Sequence, residues 1–260
     1  MTTSTRIKTK QQMEIINRQT EQAGYRLQNL TTRDSWSETD AGELAYRMLS
    51  RRTIIRAFKW PIPSNAALRV LRAAYMAEVM ARGFDFVDDE ATGKNIQTVA
   101  NALTARDNKR GIMLCGKCGN GKTTMLRAIK TATNFLAEQN IFGETVNGRW
   151  YPADVNIRIA HAKEIAIHFA DEQKAATYAK TNLLGIEDMG TEPAEVQVYG
   201  NIVNPIATLL ESRYASGLTT FITTNLTPRL IGEKYQERIA DRLNETMAVI
   251  PFDNASYRTA

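Results

Sequence analysis

The stretch Gly116-Lys117-Cys118-Gly119-Asn120-Gly121-Lys122-Thr123 constrains this chain more than any other. It matches the pattern G-x-x-x-x-G-K-[ST], and Thr124 follows it directly. The apolar run Ile112-Met113-Leu114-Cys115 precedes it, and a segment of helical spacing near 122–137 follows. A buried strand, a glycine-rich turn and a helix in that order make an anion cradle. Glycines at 116, 119 and 121 let the backbone wrap and turn its N–H groups inward. The helix presents its positive end to the same point. On this reading Gly116 through Thr124 hold the phosphates of ATP. Lys122 reaches the β- and γ-phosphates, and the Thr123 hydroxyl is a ligand for Mg²⁺.

Beyond residue 111 short apolar runs alternate with helical stretches. Strands are predicted at 111–115, 156–160, 182–187, 218–224 and 246–251, with helices near 122–137, 161–180, 197–215 and 228–243. That alternation predicts a three-layer α/β sandwich around a mostly parallel five-stranded sheet. The boundary is expected near 105, giving an ATPase domain over 106–260 behind a helical, basic region over 1–105 that would bind a partner. Within that region residues 1–40 are polar and weakly periodic. A helix is expected over 42–59, with Leu44, Met48 and Ile55 apolar and Arg52, Arg56 and Lys59 on one face. Trp60-Pro61-Ile62-Pro63 makes a joint. Ser64 is placed as the cap of a helix running to Gly83, with a stripe of Leu68, Leu71, Tyr75 and Val79. After an acidic turn from Asp85 to Gly93, a helix over 94–106 carries Ile96, Val99, Ala100 and Leu103 in phase.

Composition narrows the function classes. Of the 260 residues 43% are hydrophobic and 23% charged, which excludes a wholly disordered chain. No apolar run approaches the roughly 18 residues of a membrane span. The N-terminus has no apolar segment behind its basic residues, so no secretory signal is expected and a cytoplasmic location follows. Residues 1–60 hold 11 Lys/Arg against six Asp/Glu, so the formal excess of +5 sits in the first quarter. Such an arm suits an acidic partner, nucleic acid or protein, or is simply a solvated leader.

A loop that hydrolyses ATP also needs carboxylates at the end of a neighbouring buried strand. Leu183-Leu184-Gly185-Ile186-Glu187-Asp188 supplies two, 65 residues after Lys122. Glu187 is the expected metal-side acid and Asp188 the water-orienting one; solvent-facing acids at a strand end are the plain alternative. Thr219 to Thr224 leads to Asn225, a candidate for hydrogen bonding to the attacking water or the γ-phosphate. Arg238 and Arg242 stand four apart on a helix. They could reach a neighbouring subunit's phosphates, or bridge Glu237 or Asp241 on their own surface. Cys115 and Cys118 form a lone C-x-x-C, and His161 and His168 are not at ligand spacing to it. Cys115 is assigned to the strand and Cys118 to the loop.

With these residues in place, the domain resembles the AAA+ ATPases of the DnaC-type helicase-loader and IstB-type transposition-helper group. The resemblance rests on Gly116–Thr124, Leu183–Gly190 with Thr191-Glu192-Pro193 behind it, Arg213-Tyr214, Thr223-Thr224-Asn225-Leu226, Arg238 to Leu243, and Ser256-Tyr257-Arg258. It implies an additional-strand P-loop ATPase with sheet order 5-1-4-3-2. It also implies ATP-dependent assembly as a homo-oligomer, on DNA or on a partner. The sequence departs from the group in two places. Glu precedes Asp in the acidic pair, where the group usually places Asp first, and Gln236 stands where many relatives have glycine. The chain runs only a short way past Arg242, so no helical lid domain is expected.

The leading functional expectation is an ATP-dependent loader of a replicative helicase that also binds single-stranded DNA. The alternative is a transposition regulator acting on DNA with a transposase. A small-metabolite kinase, a different class, fits less well because the asparagine-ended strand and late arginine pair suit an assembling ATPase. Arg149-Trp150-Tyr151 could stack a base and hold its phosphate, or could be packed loop anchors. Lys163, Lys174 and Lys180 could contact single-stranded DNA, or form a solvated helix face. No membrane contact is expected.

Overall fold

The computed structural model describes residues 57–257 except Asn147 and Tyr199, together with Gly42, Ala45 and Met48. The polar stretch over 1–40, and Leu44, Arg52, Ile55 and Arg56 of the expected helix over 42–59, lie outside the described residues. So does Arg258.

Pro61 and Pro63 lead into α1, Ser64–Met80. Its cap is Pro63, not Ser64: the amides of Ala66 and Ala67 bond to the Pro63 carbonyl. The Ser64 hydroxyl is drawn instead to Asn101 on the next helix, at 2.6 Å. That helix, α2, spans Glu90–Thr104. It starts earlier than periodicity suggests, because the Asp89 carboxylate accepts the Thr92 amide and caps it. The expected acidic turn therefore closes at Asp89.

The sheet follows. Strands β1 (Gly111–Gly116), β4 (Ile157–His161), β5 (Leu183–Met189), β8 (Thr219–Thr224) and β9 (Met247–Phe252) lie in the order β4-β5-β8-β1-β9. Every adjacent pair is parallel. Numbering these five along the chain gives 5-1-4-3-2, the expected order. Parallel strands covered on both faces read as unbroken apolar runs, and Ile112, Met113 and Leu114 are all buried. The threonine-rich β8 is fully buried too. Its hydroxyls have partners there, with Thr224 donating to the Met189 carbonyl and Thr223 accepting the Asp188 amide.

Helix α3, Lys122–Glu138, shares one hydrophobic cluster with α1 and α2. Leu71, Ile96, Val99, Met125, Leu126 and Ile129 have no exposed surface there. Trp60 is buried as well, and its indole N–H donates to Thr133 on α3. A fully buried aliphatic side chain of this size contributes roughly 1.5–3 kcal/mol. The compact unit holding the phosphate loop accordingly begins near residue 56, not 106. Helices α1 and α2, expected in the N-terminal region, belong to its core.

The other face of the sheet is covered by α4 (Ala162–His168), α5 (Glu172–Lys180), α6 (Pro205–Ser216), α7 (Pro228–Tyr235) and α8 (Glu237–Thr246). The stretch over 161–180, long enough for two helices, forms α4 and α5, with Asp171 capping the second through the Gln173 and Lys174 amides. Two expected helices are corrected here. The one over 197–215 begins only at Pro205, where Asn204 caps it. An antiparallel pair, β6 (Val196–Val198) and β7 (Asn201–Val203), precedes it. The one over 228–243 is interrupted at Gln236, whose φ of 76° and ψ of 148° no helix accepts.

Strands β2 (Gly143–Val146) and β3 (Arg149–Pro152) pair as a small two-stranded sheet. Residues 144–151 belong to a second unit of the chain. Trp150 and Tyr151 are exposed, and the Arg149 guanidinium lies 5.6 Å from the Tyr151 ring centre. Among the described residues no helix is long and apolar enough to cross a membrane.

Candidate nucleotide site

The glycine-rich turn leaves the C-terminal end of β1, as its sequence demands. Gly121 has a φ of 91° and ends the turn where α3 begins. A side chain there would be strained, and its Cβ would lie 2.5 Å from the Tyr75 hydroxyl. Gly116 is equally confined, since a Cβ would collide with the Phe252 carbonyl. Helix α3 has no side-chain cap, which leaves its first amides facing the turn.

Lys122 is 5% exposed and folds into the loop. Its ammonium donates to the carbonyls of Gly116 at 2.8 Å and Lys117 at 2.6 Å, and to the Asn120 side-chain oxygen at 3.0 Å. The loop interior is thus a polar cradle already shaped around one charge. Asn120, buried, donates to the Phe252 carbonyl. Asn254 donates to the Asn120 carbonyl, and the Tyr257 amide donates to the Gly119 carbonyl at 3.0 Å. The segment after β9 therefore braces the loop from outside. Thr123 is half-buried in the first turn of α3, and Thr124 accepts from the Arg82 guanidinium at 2.6 Å. Cys115 lies in β1, where burial pushes its thiol up to about 11, while Cys118 sits exposed in the loop.

The two acids end β5, but they face different surroundings. Glu187 is buried, and both its oxygens are taken by the Arg127 guanidinium, with Nε–Oε1 at 3.0 Å and Nη2–Oε2 at 3.3 Å. Asp188 follows at an irregularity in the β5–β8 register, with φ of 53°. That kink turns its half-exposed carboxylate toward His161, whose Nε2 lies 3.5 Å away. Since His161 Nδ1 accepts the Lys163 amide, the ring proton of the neutral imidazole is on Nε2, facing Asp188.

Asn225 is exposed just past β8. The end of β8 is paired with β1 on one side and β5 on the other: Thr224 is the partner of both Cys115 and Met189. Loop, acids and asparagine thus converge at one end of three adjacent strands.

Arg238 and Arg242 do not join them. Both turn to Glu211 on α6, at 3.8 and 2.9 Å, and not to Glu237 or Asp241. Arg242 also lies over the Tyr214 ring and lines a small cavity with Gly111 and Met247, at the starts of β1 and β9. That is the opposite end of β1 from the loop, about 16 Å away at 3.3 Å per residue. Arg213 is buried among acceptors, donating to the carbonyls of Tyr178, Thr181 and Thr219 and to the Thr220 hydroxyl. Burial lowers its pKa to about 10. Glu192, also buried, accepts from the Gly190 amide and the Tyr235 hydroxyl and lies 3.3 Å from Lys234, tying the end of β5 to α7.

Arg127, His161 and Arg82 were not singled out from sequence as site residues. Asking what neutralises a buried acid points to some cation, but not to which one.

The residues suit a triphosphate and its Mg²⁺. The loop offers amides and an ammonium, and Thr123 and Glu187 carry the hard oxygen donors that Mg²⁺ prefers. The sheet order and the loop at the end of its first strand decide the fold. It is an additional-strand P-loop NTPase fold. No family model matches the sequence, and no curated protein matches it. Among solved structures, DnaI is similar at 21% identity, over 75% of this chain and 94% of that one, with a TM-score of 0.48. The DnaC helicase loader is similar at 15% identity over 64% and 92%, with a TM-score of 0.47. AMPPCP-bound DnaA from Aquifex aeolicus is similar at 15% identity over 64% and 48%, with a TM-score of 0.41.

Proposed function

We propose that this chain binds and hydrolyses ATP as a DnaC-like loader of a replicative helicase. The observation that carries the reading is the convergence of the Lys122 loop, the Glu187–Asp188 pair and Asn225 on the ends of β1, β5 and β8. Lys122 exchanges its loop acceptors for the β- and γ-phosphates. Thr123 and Glu187 would hold Mg²⁺, which would supply charge neutralisation at the phosphates. Asp188 orients the attacking water, and His161 keeps that carboxylate in place. Asn225 hydrogen-bonds the water or the γ-phosphate.

Arg238 and Arg242 lie too far from their own loop and serve a neighbouring copy, which makes the active form a homo-oligomer. Single-stranded DNA is held by the exposed Lys163, Lys174 and Lys180; Arg149, Trp150 and Tyr151 are a separate candidate for stacking a base. The helicase is met by the N-terminal region, whose net positive charge lies within 1–60.

Equilibrium binding of a fluorescent ATP analogue to the full chain tests the core of the reading. The wild type should bind, and Lys122→Ala should lose at least about tenfold in affinity, the worth of one charge-assisted contact. Unchanged affinity in Lys122→Ala removes the phosphate role. A pull-down with the full chain separates the partners, since recovery of a transposase instead of a helicase favours the transposition reading.

A further inference from the structure

Glu187 stands in the expected metal position, yet a cation already occupies both of its oxygens. Arg127 is on α3, five residues after Lys122, and its fork meets the carboxylate side by side. Glu78 and Asp188 also act on the same guanidinium, and together with the Glu187 bond they raise its pKa. A fixed positive charge thus sits among three carboxylates, in the kind of field that would otherwise draw a divalent ion. Glu78 is itself engaged, accepting from the Thr131 hydroxyl at 2.6 Å.

The two partners are unequal. The Glu187 side chain is 11% exposed and the Arg127 side chain 45%. When the pair opens, Arg127 is the partner that reaches water while Glu187 stays buried, so the acid then needs another cation. The glutamate also accounts for the departure in the acidic pair. Aspartate, one methylene shorter, would carry its carboxylate less far toward α3.

We propose that Arg127 is a tethered counter-ion that competes with the divalent metal for Glu187, so that Mg²⁺ engages the acid only as the guanidinium leaves. This rests on the ATP and Mg²⁺ reading given above. Metal engagement in this chain is then an exchange of one cation for another. The metal requirement for tight nucleotide binding is set by a residue outside the loop.

The test uses the full chain and fluorescent analogues of ADP and ATP, with Mg²⁺ titrated from excess EDTA upward. Arg127→Gln should lower the Mg²⁺ midpoint by about tenfold, the equivalent of one charge-assisted bond. Affinity measured in EDTA should change far less. Arg127→Lys keeps the charge and loses the fork, so its midpoint should fall between the two. Glu187→Gln should move the midpoint the other way. If Arg127→Gln melts below the assay temperature, Arg127→Lys decides alone, with a midpoint below wild type as the expected result. A midpoint left unchanged or raised in the arginine variants, with nucleotide still bound, overturns the proposal and leaves the ATP reading standing. Wild-type protein that takes up neither analogue under any condition overturns both.

Discussion

Gln236 sits between α7 and α8 at φ 76° and ψ 148°, a backbone region that essentially only glycine enters. The strain is worth roughly 1–3 kcal/mol for a residue with a Cβ. Replacing it by glycine removes that strain, but adds backbone freedom to the unfolded chain worth about 0.5–1 kcal/mol. The side chain is exposed, so its loss costs little packing. The Gln236 carbonyl keeps its bonds from the Ile239 and Ala240 amides whatever the side chain. Gln236→Gly should therefore stabilise the protein by about 1 kcal/mol, or 2–4 °C in Tm for a unit of roughly 200 residues. Gln236→Ala keeps the Cβ and the strain, so it should lie within about 0.5 kcal/mol of wild type. Urea and thermal denaturation of the three proteins measure both differences. A Gln236→Gly protein that melts below wild type, or an alanine variant that gains as much as glycine, refutes the argument from strain.

Asp188→Asn should bind ATP as wild type does and slow single-turnover hydrolysis by about 10²-fold or more, the usual worth of a water-orienting base. Should Glu187→Gln, and not Asp188→Asn, arrest turnover with ATP bound, the roles of the two acids are reversed. Arg238→Ala and Arg242→Ala should each reduce hydrolysis in assemblies without weakening ATP binding by a single chain. Mixing either variant with Lys122→Ala protein should restore part of the rate, and no restoration at any ratio argues against action between subunits. Cys118 should react with a thiol reagent near pH 8, while Cys115, its thiol pushed up to about 11, should stay largely unlabelled until the pH passes about 10. The sign follows from burial, which disfavours the thiolate below that pKa. Equal labelling rates for the two at pH 8 would contradict the placement of Cys115 in β1.

Much of this architecture was legible without coordinates. The loop declared itself through glycine spacing and Lys122. The five core strands were readable as short apolar runs, because a parallel strand buried on both faces needs little else. Where local chemistry competed, periodicity misled. Ser64 found Asn101 and left the capping to Pro63. Asp89 started α2 early, and Gln236 split a stretch whose pattern reads as one helix. The boundary near 105 followed the onset of alternating strands and helices, yet α1 and α2 pack on α3, since their apolar stripes need a face to cover and α3 provides it.

Residues close in the chain, held by turn geometry and alternation, thus determined the phosphate loop, the strand set and their order of appearance. Contacts across long separations were decided only in three dimensions. Arg127 meets Glu187, His161 meets Asp188, and Arg238 and Arg242 meet Glu211 because sheet order and helix packing bring them there. A carboxylate's partner depends on which cations the fold delivers within hydrogen-bond reach, and the linear spacing of charges carries no record of that.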